Sequence, residues 1–290
     1  MHGFMKLCRF TAAASADVRV GLITNGQALV DLTDAGVRRM KGLLERADLE
    51  HELTRLSAAG LTTRALDSVR LLTPVESQEV WAAGVTYLRS REARMVESEF
   101  SASAYDRVYD AERPEIFFKS LPEKIVSPDE AVGIRRDARW NVPEPELALV
   151  INSAGAVVGF TIGNDMISRD IEGENLLYLP QAKIYARSCA IGPWIVVGPT
   201  EDEARQWTIQ LEIRRGPESV FAGDTRAGQI KRRFVELVHY LFRSQTFPNG
   251  AILLTGAGIV PPDSFTLDAH DVVRITISGV GTLENAVSIV

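Results

Sequence analysis

Cysteine is nearly absent: Cys8 and Cys189 are the only two in 290 residues. They form no CxxC pair and no Cys/His ligand pattern, which excludes a disulfide framework and a structural zinc site. The expectation is two small buried thiols in a reducing compartment. Histidine is also sparse, with four residues and none between His51 and His239. Only six of the 32 cationic side chains are lysines, so each lysine is worth locating. No stretch approaches the ~18 apolar residues of a membrane-spanning helix. Nor does the segment after Lys6 and Arg9 carry the ~7–15-residue apolar core of a secretory signal. A cytoplasmic location is expected. The net charge of −6 lacks the basic excess that a general nucleic-acid or polyanion binder needs.

What is present is an ordinary globular composition, 46% hydrophobic and 24% charged, long enough to bury a large core. The chain is expected to divide into a small N-terminal α/β domain over 1–75 and a larger domain over 76–290. In the first part, short strand-like runs precede two helical stretches, one from about Asp34 to Arg46 behind Thr33 as N-cap and one from about Leu49 to Ala59 ending at Gly60. In the second, strand-like runs dominate, and one helix is marked by Ile230, Phe234, Leu237, Val238, Leu241 and Phe242 at helical spacing. The reading is a β-rich α+β protein without the regular alternation of a doubly wound fold.

The chemistry concentrates in three segments. Glu144-Pro145-Glu146 opens the apolar run Leu147–Ile151. Residues two apart on a strand share a face, so the two carboxylates would repel and raise each other's proton affinity. A divalent cation removes that cost, and hard oxygen ligands suit Mg²⁺, Mn²⁺ or Ca²⁺. A solvated acidic strand edge is the competing reading. The second segment, Gly159–Asp165, is an apolar strand ending in Gly-Asn-Asp. A hairpin through Asn152-Ser153-Ala154-Gly155 would bring Asp165 back beside Glu144 and Glu146. The third, Ile171–Lys183, is either a surface loop with a solvated lysine or, beside a metal, a source of a lysine able to orient an oxygen or move a proton.

Together these residues resemble the fumarylacetoacetate hydrolase superfamily. The matching features are Glu144-Pro145-Glu146, Gly163-Asn164-Asp165 with Ser168-Arg169-Asp170, Lys183, Gly192-Pro193-Trp194 and Gly279–Asn285, over about Trp81 to Val290. The resemblance implies a mixed β-roll catalytic domain, a divalent metal held by Glu144, Glu146 and Asp165, and Lys183 in the substrate site. It also implies a homodimer or homotetramer. Within the superfamily, Gly84–Tyr87, Arg113–Lys119, the run Asp170–Asn175 with Leu177–Lys183, and Thr255–Pro261 are most similar to its 2-keto-3-deoxy sugar-acid dehydratases. The hydrolases usually place a histidine shortly after the segment matching Gly84–Tyr87; here Ser90 stands three positions after Tyr87, which favours chemistry without a water nucleophile.

The activity so implied is Mg²⁺-dependent dehydration of a 2-keto acid in pentose catabolism. The resemblance places Thr86, Phe118, Lys119, Ser120, Lys183 and Thr255 around the substrate. Lys183, Glu115 and Glu97 are the candidate acid and base, and the residues alone do not choose among them. The charged segment Tyr87–Glu112 is either an exposed helix pair or a lid. Cleavage of an acylpyruvate-type keto acid and non-catalytic keto-acid binding remain the alternatives.

Overall fold

The computed structural model describes residues 4–12, 15–24, 26–88 and 107–290. Glu97 and its charged neighbours therefore lie outside the described residues. The architecture is strand-rich α+β. Its largest element is an 11-stranded sheet in which Met5–Ala12 is followed by Cys189–Val197, Val157–Asp165, Pro145–Ile151, Ala251–Leu254, Glu79–Gly84 and Glu115–Ser120. A five-stranded sheet carries Glu218–Arg226, Thr208–Arg215, Val272–Ile277, Gly281–Ile289 and Val132–Ile134 in that order.

The central strand Pro145–Ile151 is buried at every position because both faces of its sheet are covered. Leu147, Leu149 and Ile151 face an apolar layer shared with Leu211, Ile275 and Leu283 of the five-stranded sheet. Ala148 and Val150 face a second layer filled by Leu43, Leu44, Leu53 and Leu56 of the N-terminal helices. The helix Phe234–Phe242 presents Phe234, Leu237, Val238 and Leu241 to the first layer, as its spacing predicts, and leaves His239 on the surface.

The expected hairpin is present. Pro145 pairs with Asn164 and Glu146 with Gly163 in an antiparallel ladder. Its turn is stabilised by the Asn152 side chain, which accepts from the Ala154 and Ala156 N–H groups, and by Gly155 at φ 81°. The helix expected from Asp34 to Arg46 is corrected. A single 3₁₀ turn, Leu32–Ala35, stops at Gly36 in the left-handed conformation (φ 86°), and only Lys41–Leu44 resumes as helix. Its cap is Asp31, whose side chain accepts from the Thr33 N–H; the Thr33 hydroxyl accepts instead from Val20.

Strand direction decides where function can sit. Ala251–Leu254 runs antiparallel to Pro145–Ile151 and parallel to Glu79–Gly84, which pairs antiparallel with Glu115–Ser120. The starts of Pro145–Ile151 and Glu115–Ser120 therefore meet the ends of Val157–Asp165, Ala251–Leu254 and Glu79–Gly84 at one rim of the sheet. The N-terminal strand Met5–Ala12 joins the same sheet far from that rim, through Leu7 opposite Ile195.

Phe160 anchors the first layer, with its ring 5.6 Å from Trp207 and 6.1 Å from Phe234. Phe160→Ala removes this three-ring cluster and is expected to cost about 3–5 kcal/mol, measured by chemical denaturation; a loss below about 1 kcal/mol would show that the layer does not depend on it.

Candidate active site

Glu144, Glu146 and Asp165 converge at that rim, each with a carboxylate oxygen within 4.8 Å of the others. The backbone sets the spacing: the Asp165 N–H donates to the Glu144 carbonyl at 2.9 Å. All three are buried, at 5%, 2% and 1% exposure. An acidic strand edge in solvent is therefore not what the sequence encodes, since buried carboxylates need partners.

The partners are specific. Lys183, the last residue of the short helix Leu179–Lys183, places Nζ 2.5 Å from Glu144 Oε2 and 2.7 Å from Asp165 Oδ2. Arg169, at the start of the helix Arg169–Glu174, donates to Glu144 Oε1 at 3.3 Å and stacks against Trp140. Glu146 Oε2 accepts the Gly256 N–H at 2.5 Å. Burial, followed by the Asp165 and Glu144 charges, pushes the Glu146 carboxyl well above the usual carboxylate range, with Lys183 opposing the shift.

A small, narrow pocket of about 10 Å³ opens over this set. Glu115, Phe117, Glu172 and Gly256 complete its polar and aromatic lining with the three carboxylates and Lys183. Among the described residues, no histidine lines it. Gly84 admits Glu115: a Cβ at position 84 would collide with the Glu115 carboxylate. Val85, a β-branched residue held at φ 51°, lies between Gly84 and Thr86, and backbone strain of this kind concentrates at functional sites.

The other sequence candidates fall around this cavity rather than in it. The Thr86 hydroxyl donates to the Thr255 carbonyl at 2.6 Å, and the Thr255 hydroxyl donates to the Leu147 carbonyl at 2.8 Å. These threonines bind the loop Gly84–Tyr87 to the loop Thr255–Gly258. Phe118 packs edge-on against Trp81, with centroids 5.7 Å apart, and the Ser120 hydroxyl donates to the Leu121 carbonyl. Lys119 is fully buried behind the carboxylates, and burial pushes its ammonium pKa down while Asp165 opposes the shift. Phe117 and Glu172 are the cavity residues that the sequence reading passed over. Strand alternation held the signal for Phe117, which shares a face with Glu115. Glu172 lies three residues after Arg169, one helical turn along.

The donor set fits a divalent cation. Three carboxylates within mutual reach supply hard oxygens, and Glu146 in particular is burdened by charge that a cation would offset. A thiol is no competitor as ligand: Cys189, paired with Asp165 in the sheet, is pushed up to about 12 by burial.

Residues 79–288 match the family described as fumarylacetoacetate (FAA) hydrolase C-terminal. A probable 2-keto-3-deoxyxylonate dehydratase of Haloferax volcanii is 43% identical over 268 residues, covering 90% of this chain and 92% of that protein. A 2-dehydro-3-deoxy-D-arabinonate dehydratase of Saccharolobus solfataricus is 42% identical over 221 residues, covering 75% and 74%. Among solved structures, a 2-keto-3-deoxy-D-arabinonate dehydratase complexed with magnesium and 2,5-dioxopentanoate superposes with TM-score 0.81 at 32% identity, covering 98% of this chain and 99% of that one.

Gly84→Ala tests the construction of the cavity. A crystal structure of this variant is expected to show the Glu115 carboxylate displaced with the sheet intact; Glu115 in its original place would show that Gly84 does not position it.

Proposed function

The chain belongs to the fumarylacetoacetate (FAA) hydrolase C-terminal family, and from that premise we propose that it is a Mg²⁺-dependent dehydratase of a 2-keto-3-deoxy pentonate, forming 2,5-dioxopentanoate and water. The observation that carries this reading is the buried Glu144–Glu146–Asp165 set with the Lys183 ammonium beside it, under a cavity that no histidine among the described residues lines. Mn²⁺ and Ca²⁺ are the chemically reasonable substitutes for Mg²⁺. The relatives at 43% and 42% identity are named as dehydratases of such acids, which supports the substrate class.

Glu144, Glu146 and Asp165 would hold the cation. When bound, it supplies Lewis acidity that stabilises negative charge developing on the keto-acid oxygens. The rest falls to the protein's own side chains. Lys183 and Glu115 both line the cavity, so one is placed to take a proton from C3 and the other to give a proton to the departing C4 hydroxyl. The C3–H and C4–O bonds break, one water leaves, and the 5-hydroxy-2-oxo-3-enoate that remains loses a proton from C5 and gains one at C3, giving an enol that rearranges to the dioxo acid. Lys183 is ion-paired with Glu144 and Asp165, so it enters as an ammonium with a proton to give, whereas Glu115 offers a carboxylate to receive one. This favours Glu115 as base and Lys183 as acid. Glu172 and Phe117 line the same pocket, whereas Thr86, Phe118, Ser120 and Thr255 lie outside its lining.

The division into an N-terminal domain (1–75) and a catalytic domain (76–290) is part of the proposal, since every residue lining the cavity lies in the second part. So are cytoplasmic location, assembly as a homodimer or homotetramer, and a place in pentose catabolism. No helix among the described residues is long and apolar enough to cross a membrane.

The deciding assay offers the purified protein Mg²⁺ and, separately, 2-keto-3-deoxypentonates, 2-keto-3-deoxyhexonates and acylpyruvates, with products read by mass spectrometry. Loss of one water from a pentonate is the expected result; cleavage products from an acylpyruvate, or binding without turnover, would overturn the proposal. EDTA is expected to abolish turnover and Mg²⁺ to restore it. Lys183→Ala and Glu146→Gln should each lower kcat by about 10²–10⁴-fold without unfolding the protein. A proton competes with the cation for Glu146, whose pKa is raised, so Mg²⁺ affinity measured by titration calorimetry should strengthen as pH rises; affinity that weakens or stays flat would contradict this.

A further inference from the structure

Lys119 lies near the end of the strand Glu115–Ser120, on the strand face shared with Glu115 and Phe117, but it does not line the cavity. Its Nζ lies 2.5 Å from Asp165 Oδ1, 2.9 Å from the Met166 carbonyl and 2.5 Å from the Lys183 carbonyl. The ammonium donates hydrogen bonds to the two carbonyls and is ion-paired with Asp165 Oδ1. The carboxylate in contact with Nζ favours the charged form, and the side chain is turned away from the cavity.

The acceptors belong to the site itself. Asp165 is one of the three clustered carboxylates, and Met166 follows it. The third acceptor is the main-chain carbonyl of Lys183, whose side chain reaches Glu144 and Asp165. One buried ammonium thus ties the end of the strand Val157–Asp165 to the last residue of the helix Leu179–Lys183. Asp165 is gripped from both sides, Oδ1 by Lys119 and Oδ2 by Lys183. The Lys183 carbonyl has a second donor, the Ser188 hydroxyl at 2.9 Å.

We propose that Lys119 is a positioning residue: without touching substrate, it fixes the orientation of the Asp165 carboxylate and the root of the Lys183 side chain, so that metal affinity and turnover depend on it together. The turnover half of this statement rests on the dehydratase reading above; the metal half does not. Partners that orient metal-binding carboxylates typically contribute about 10–100-fold in affinity. Without Lys119, Asp165 Oδ1 loses its buried counter-charge and two carbonyls lose a donor, which leaves Asp165 free to turn from its neighbours.

The test compares Lys119→Met, which keeps length and removes charge, with Ser188→Ala, which removes one donor from the Lys183 carbonyl and leaves Asp165 untouched. Mn²⁺ affinity is measured by titration calorimetry without substrate, kcat and KM at saturating metal, and fold by circular dichroism. Folded Lys119→Met is expected to bind Mn²⁺ about 10–100-fold more weakly and to have a lowered kcat with KM little changed. Ser188→Ala is expected to bind Mn²⁺ as the wild type does and to lose kcat several-fold. Wild-type Mn²⁺ affinity in folded Lys119→Met overturns the proposal, as does a raised KM with kcat unchanged, the mark of a substrate contact. Should Lys119→Met fail to fold, Ser188→Ala decides: an unchanged kcat overturns the positioning role, and a lowered kcat with intact Mn²⁺ affinity supports it. Weakened Mn²⁺ binding by Lys119→Met, in a protein whose wild type turns over no keto acid, overturns the dehydratase reading and supports this one.

Discussion

Three carboxylates held within 4.8 Å of one another in the protein interior constitute the constraint on which the rest of the structure depends. Burial disfavours each charge, and the charges disfavour one another. The surrounding residues act as compensation. Lys183 bridges Glu144 and Asp165, Arg169 supports Glu144, the Gly256 N–H supports Glu146, and Lys119 holds the far oxygen of Asp165. What compensation remains incomplete is chemically useful, because Glu146 retains a raised proton affinity that a divalent cation can exploit.

The sheet exists in its observed form to hold these groups in place. Pro145–Ile151 is buried on both faces, which leaves its two neighbouring strands in fixed register, and the register delivers Asp165 to Glu144 through a main-chain hydrogen bond. The loops that close the cavity are tied to one another by backbone-directed threonines, Thr86 to Thr255 and Thr255 to Leu147, so the lining does not rely on solvent-exposed contacts. Small residues matter at two points. Gly84 leaves room for Glu115, and Gly256, at φ 97°, occupies a conformation that an L side chain would resist while presenting its N–H to Glu146.

Much of the site was legible before any coordinates. A proline between two acids at the mouth of an apolar run, and a second apolar run ending in Gly-Asn-Asp one short turn later, require only the period of a strand and a hairpin to bring three carboxylates together. Side-chain direction was less legible. Resemblance places Phe118 at the substrate, and in the structure Phe117 lines the cavity while Phe118 packs against Trp81. The long helix expected behind Thr33 failed for a local reason, since Gly36 in the left-handed conformation ends the turn one residue beyond Ala35.

The sequence by itself determined the candidate carboxylate cluster: Glu144, Glu146 and Asp165 on two strands joined by a short turn, in a strand-rich chain able to bury the set. These follow from residue identity and short-range periodicity, which act over a few neighbours. Tertiary structure alone decided how the lysines divide. Lys119 and Lys183 lie 64 residues apart in sequence. Both reach Asp165, one from behind and one from the cavity side, because the partner of a buried charge is set by whichever strands and helices pack around it. That packing is long-range, and neither a motif nor a spacing records it.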